Sequence, residues 1–139
     1  MNPRIIGARI FAVAAFALLL AAPVTVALFL AAPAAAETVS VTLPELSPEA
    51  RAGGQAFIQN CAQCHGMVGG GTDKGPPLIH KIYEPNHHGD FAFQRAVRQG
   101  SRAHHWRFGD MPPQPQVTDA DVSVIVKFIR EVQRANGID

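Results

Sequence analysis

The chain has 139 residues, 47% of them hydrophobic and 17% charged, with twelve Lys and Arg against eleven Asp and Glu and a net charge of +1. A balance so near zero supplies no concentrated basic surface, which argues against nucleic acid as a partner. No internal repeat is visible, and the length suits one domain behind a leader.

The leader comes first. Arg4 and Arg9 precede an uncharged apolar run from Ile10 to Ala36 that closes in AAPAAAE, with small residues where a signal peptidase cuts. Residues 1–36 are therefore expected to be an export signal peptide or an uncleaved membrane anchor. The run exceeds the roughly 20 apolar residues that span a bilayer, although Pro23 and Pro33 interrupt it. Cleavage after Ala36 is the reading adopted, with the anchor as its rival. In both, the positive flank stays in the cytoplasm and the remainder is delivered outside. Without Arg4 and Arg9, ten basic residues face eleven acidic ones, a net charge of −1.

The stretch TVSVTLPELSP alternates apolar and polar residues as a strand would, but its prolines and its place behind the export segment make 37–47 a linker. A first helix is expected with Ser47 as cap and Pro48 at its first position, running toward Cys61. Roughly thirty residues rich in Gly, Pro and His follow with little periodicity, a length of loop that compact domains seldom carry without something to wrap around. A short second helix, DFAFQRAVRQG, is expected with Asp90 as cap and Gly100 as terminator. The last helix has the clearest pattern: Thr118 and Asp121 as a capping box, then Val122, Ile125, Val126, Ile129 and Val132 at helical spacing, and Gly137 as the stop.

Cys61 and Cys64, the only cysteines, stand in NCAQCHG. Zinc would usually want four Cys and His ligands at paired spacings, and no second Cys pair exists to complete them. A thioredoxin-like pair belongs in a βαβ setting, and a disulfide closing so small a loop would stabilise little. With His65 next in line the pentapeptide is Cys-x-x-Cys-His, the attachment signature for c-type haem. Two thiols add across the two vinyl groups of one porphyrin while the adjoining imidazole is delivered beneath the iron. Met67 is tethered too close to His65 to cross the ring. That leaves Met111, in FGDMPPQP, as the distal ligand, its backbone restricted by Pro112 and Pro113.

Taken in order, GGQAF, CAQCHG, GPPL, GDMPP and DVSVIVKFIREVQ make residues 48–139 resemble the class I, single-haem cytochromes c of bacteria. The resemblance implies an all-α domain, a few helices and long loops wrapped around one covalently bound haem c. Its first and last helices would cross, with Gly53 and Phe57 meeting the last helix near Phe128. It implies that the Pro76 carbonyl accepts a hydrogen bond from His65 and so orients the ring, and that Leu78 packs on the haem face. With His65 and Met111 both on the iron no position is open, and a thioether favours the ferrous state. The implied function is that of a monomeric periplasmic electron carrier, docking briefly on redox donor and acceptor proteins. Two rivals stand beside it: a haem c subunit of a periplasmic dehydrogenase or oxidase, and a membrane-anchored relay. No paired catalytic carboxylates or second cofactor site is visible, so intrinsic catalysis is not expected.

Residues 80–107 depart from the simplest members, with His80, His87, His88, His104 and His105 crowded beside Trp106 and Arg107. Trp106, Arg107 or a histidine could hydrogen-bond the haem propionates. The two His pairs could hold a metal, although loop histidines partly exposed or satisfied by backbone are the commoner case. A histidine could also replace Met111 on the iron in some state. Arg95, Arg98, Arg102 and Arg107 fit either a docking patch for an acidic partner or a solvated helix face.

Overall fold

A computed structural model of the protein describes residues 38–139. The expected export signal or anchor over 1–36 lies outside the described residues, among which no helix is long and apolar enough to cross a membrane. The elements are α1 (Pro48–Asn60), the single turn α2 (Ala62–His65), a 3-10 turn (Lys81–Tyr83), α3 (Asp90–Gln99) and α4 (Asp119–Ala135). Among the described residues the only extended pairing is an isolated bridge between Ser101 and Met111. The all-α expectation is met.

Local chemistry places the helix ends. The Ser47 hydroxyl accepts from the Ala50 N–H at 3.2 Å, with Pro48 at the first position, where its missing N–H costs nothing. Thr118 and Asp121 close a reciprocal capping box at the start of α4. Asp90, expected as the cap of α3, is instead its first helical residue; Gly89 is the cap. The Asp90 carboxylate is taken by Arg130, whose Nε donates to it at 2.8 Å, and a side chain turned toward another helix cannot reach back to its own N–H groups.

The core lies where α1 crosses α4. Phe57, Val122, Ile129 and Val132 are essentially excluded from water, and burying each such side chain stabilises by about 1.5–3 kcal/mol. The crossing is close because Gly53 permits it: a Cβ there would lie 1.9 Å from the Val124 carbonyl oxygen. Phe57 and Phe128 then pack as a tilted pair, ring centroids 5.4 Å apart.

Two polar side chains of α4 are buried as well, and they organise the loops. Gln133, 1% exposed, donates from Nε2 to the carbonyls of Leu78 at 2.9 Å and Tyr83 at 3.0 Å. Its Oε1 accepts from Arg130 at 2.7 Å. Arg130 donates onward to the carbonyls of Tyr83 at 2.7 Å and His88 at 2.6 Å. Backbone groups of an irregular segment that no helix satisfies find partners here.

Residues 38–47 have no helix or strand, yet they are bonded along their length. The Val39 N–H donates to the Gly70 carbonyl at 2.8 Å. The Thr42 backbone exchanges two bonds with the Asn136 amide, at 2.9 and 2.8 Å. The Ser47 N–H and hydroxyl both donate to Glu131, at 3.0 and 2.7 Å.

Candidate functional site

A cleft of about 420 Å³ opens among the helices, within the roughly 300–1,000 Å³ typical of cofactor pockets. It takes Phe57 from α1, Phe93, Ala96 and Val97 from α3, and Val122 and Ile125 from α4. Phe93, Ala96 and Val97 repeat at helical spacing, yet α3 contains no fully buried residue. An apolar helix face left half-covered around a cleft needs something apolar in it.

Cys61, Cys64, His65, Pro76, Leu78, Trp106 and Met111 all stand in the lining. The structure thus gathers seven of the eight residues anticipated from sequence. The two cysteines are unpaired thiols at either side of the first turn of α2. Burial pushes the Cys61 thiol up to about 11, with Cys64 beside it adding to the shift. Cys61 is therefore an unreactive thiol rather than a thiolate in the absence of a reaction partner.

His65 is oriented by the loop that follows it. The Gly71 N–H donates to the His65 carbonyl at 2.7 Å, and the Thr72 hydroxyl to the Cys64 carbonyl at 2.6 Å. At Gly75 a Cβ would stand 2.9 Å from that same Cys64 oxygen, so the chain can pass so close only as glycine. It thereby brings the Pro76 carbonyl to 2.9 Å from His65 Nδ1. A carbonyl can only accept, so Nδ1 carries the proton and Nε2 is left with its lone pair. Burial lowers the His65 pKa, opposed in part by the bond to Pro76. Both facts describe a neutral imidazole, the form that binds a metal.

Met111 is fixed through its backbone, which pairs with Ser101 in both directions at 2.9 and 2.8 Å. The chain turns just before this pair at Gly100, φ +76°, where a Cβ would lie 2.5 Å from the Met111 oxygen. Met67, by contrast, is 60% exposed and stands outside the lining.

Trp106 reaches the cleft, and its buried Nε1–H makes no hydrogen bond among the described residues. Tyr83, also in the lining, was not anticipated; burial raises its phenol pKa and the nearby Trp106 N–H lowers it. The indole N–H lies near the Tyr83 phenol but outside hydrogen-bond geometry, so it still calls for an acceptor. Arg107 is exposed and does not join them. Tyr83 stands alone in its stretch with no periodic partner to signal it, whereas the face of α3 could have been found from its 93, 96, 97 spacing.

These residues fit a covalently held porphyrin: an apolar slot, two free thiols, an imidazole with a free Nε2, and an orphaned donor for a carboxylate. The family model described as Cytochrome c matches residues 50–133. No curated protein and no solved structure matches the chain. With more than half its length matched, and with the thiols, imidazole and cleft in place, the chain belongs to the cytochrome c family, whose members bind covalently attached haem c and act as haem-based electron carriers.

Proposed function

We propose that the protein is an exported, single-haem electron carrier of the periplasm with His65 and Met111 as axial ligands, and that it performs no catalysis of its own. When bound, haem c supplies a one-electron couple at its iron. Cys61 and Cys64 hold the group covalently, and His65, kept neutral and pointed by Pro76, offers Nε2. Leu78 with the faces of α3 and α4 excludes water, which makes added positive charge costly and favours the reduced state. Trp106 and Tyr83 give their N–H and O–H to the propionates. Donor and acceptor proteins dock transiently against the edge beside the cysteines, where Cys64 is exposed.

The observation that carries the Met111 assignment is that, of the two methionines in the described residues, one lines the cleft and the other faces solvent. Met111→Ala is expected to leave haem attached and to lower the potential by about 0.1 V or more, within the roughly 0.8 V that axial ligands command. Met67→Ala should leave the potential unchanged. An unaltered potential in Met111→Ala would transfer the distal role to one of the cleft histidines, His88, His104 or His105.

A further inference from the structure

We propose that His87, His88 and His105 form a second metal site, a three-imidazole site for a divalent transition ion of the zinc and copper class. Two of its members, His88 and His105, also line the cleft, so it rests on Met111 rather than a histidine being the distal iron ligand. One ligand nitrogen from each lies within 4.8 Å of the other two. His87 Nε2 and His105 Nε2 are 3.2 Å apart. Two nitrogens on one tetrahedral ion with bonds of about 2.0–2.1 Å stand about 3.3 Å from each other, so this pair is already at ligand spacing. His87 and His105 are exposed, and rotation of their rings closes the set.

One of the three histidines, His88, already has the outer-shell partner that orients a metal-binding imidazole. His88 Nδ1 lies 2.7 Å from the Ile82 carbonyl. That oxygen can only accept, so Nδ1 bears the proton and Nε2 is the free nitrogen. The backbone under the ligands is held from both sides: Arg130 grips the His88 carbonyl, and Asp110 accepts from the Ala103 N–H at 2.8 Å. The fourth position falls to water or to His104, whose ring centroid is 4.2 Å from that of His105. Its Nδ1 is occupied by the Arg102 carbonyl at 2.7 Å, which leaves Nε2 free. An all-imidazole set with no carboxylate favours borderline ions over Mg²⁺ or Ca²⁺. Such an ion would tie the turn after Tyr83 to the loop that delivers Met111.

Zinc titration of the haem-loaded protein in metal-free buffer, read by calorimetry, tests the site. The expected result is one Zn²⁺ per chain with no response to Mg²⁺, and at least tenfold weaker binding in His87→Ala and in His105→Ala. In both variants the haem absorption spectrum should be unchanged, which also reports that they fold. Three nitrogen ligands at the zinc X-ray absorption edge would agree. Substoichiometric binding, or equal affinity in both variants, would overturn the proposal. So would a shifted haem spectrum or potential in the variants, since the imidazoles would then serve the haem.

Discussion

Gly53 shows how much one missing methyl group decides. A Cβ there would overlap the Val124 carbonyl oxygen at 1.9 Å, and that oxygen belongs to helix backbone that cannot step aside. Gly53→Ala is expected to destabilise the domain by about 3 kcal/mol, at the upper end of what overpacking costs. Urea unfolding of the holoprotein measures it, and a loss below about 0.5 kcal/mol would mean that the helices separate freely. At this scale the sequence was most readable where covalent chemistry demands a fixed spacing. Cys61, Cys64 and His65 must be contiguous to serve one porphyrin, so the site was visible as a string. Met111 is proposed by elimination, since Met67 is tethered beside His65 and exposed. Trp106, Arg107 or a histidine was expected to serve the haem propionates as a hydrogen-bond donor; of Trp106 and Arg107, neighbours on an irregular loop that point in different directions, only Trp106 reaches the cleft. Adjacency predicts a shared environment only when a regular backbone enforces it.

Among elements, the contact of the 38–47 segment with α4 has a consequence for pH. Ser47 donates both its hydroxyl and its N–H to Glu131, and these bonds, the hydroxyl first, lower the carboxyl pKa below its ordinary 4.5. A carboxyl depressed in the folded state contributes stability that is fully present above its unfolded pKa and is lost as pH falls through the lower folded value. Thermal unfolding between pH 6 and pH 3 should therefore show an acid-side loss of stability that Glu131→Gln diminishes. Identical pH slopes in the two proteins would refute the linkage. The helices themselves were legible because α1 and α4 carry caps and period within a few residues. The packing of 38–47 was not: its bonds reach residues 70, 131 and 136, partners too distant in sequence for local pattern to show. Asp90 was misassigned for the same reason. A carboxylate at a helix start reads as a cap until Arg130, forty residues on, claims it.

Among the described residues the apolar core centres on the crossing of α1 and α4, with Leu78, Ile79 and Val117 added from the loops, while α3 and parts of the loops line the cleft. The long loops signalled an enclosed group, and the cleft they line explains their length. Domains of this size have little burial to spare, so the covalent group completes the core. Cys61→Ala and Cys64→Ala should each sharply reduce the yield of haem-containing protein, scored by haem-stained gel. Normal yield after losing both would defeat the assignment of these residues as the attachment site. What joined residues 82–88 to 101–111 was invisible in the sequence, since nothing local brings His87 to His105.

The central claim is an iron closed on both faces by His65 and Met111, and the absorption spectrum of the purified protein, oxidised and reduced, with and without carbon monoxide, tests it most directly. Expected are a c-type reduced spectrum, a weak sulfur-to-iron band in the oxidised form, and no response to carbon monoxide. Prompt carbon monoxide binding with no sulfur band would contradict it, showing an open or labile position where Met111 should be.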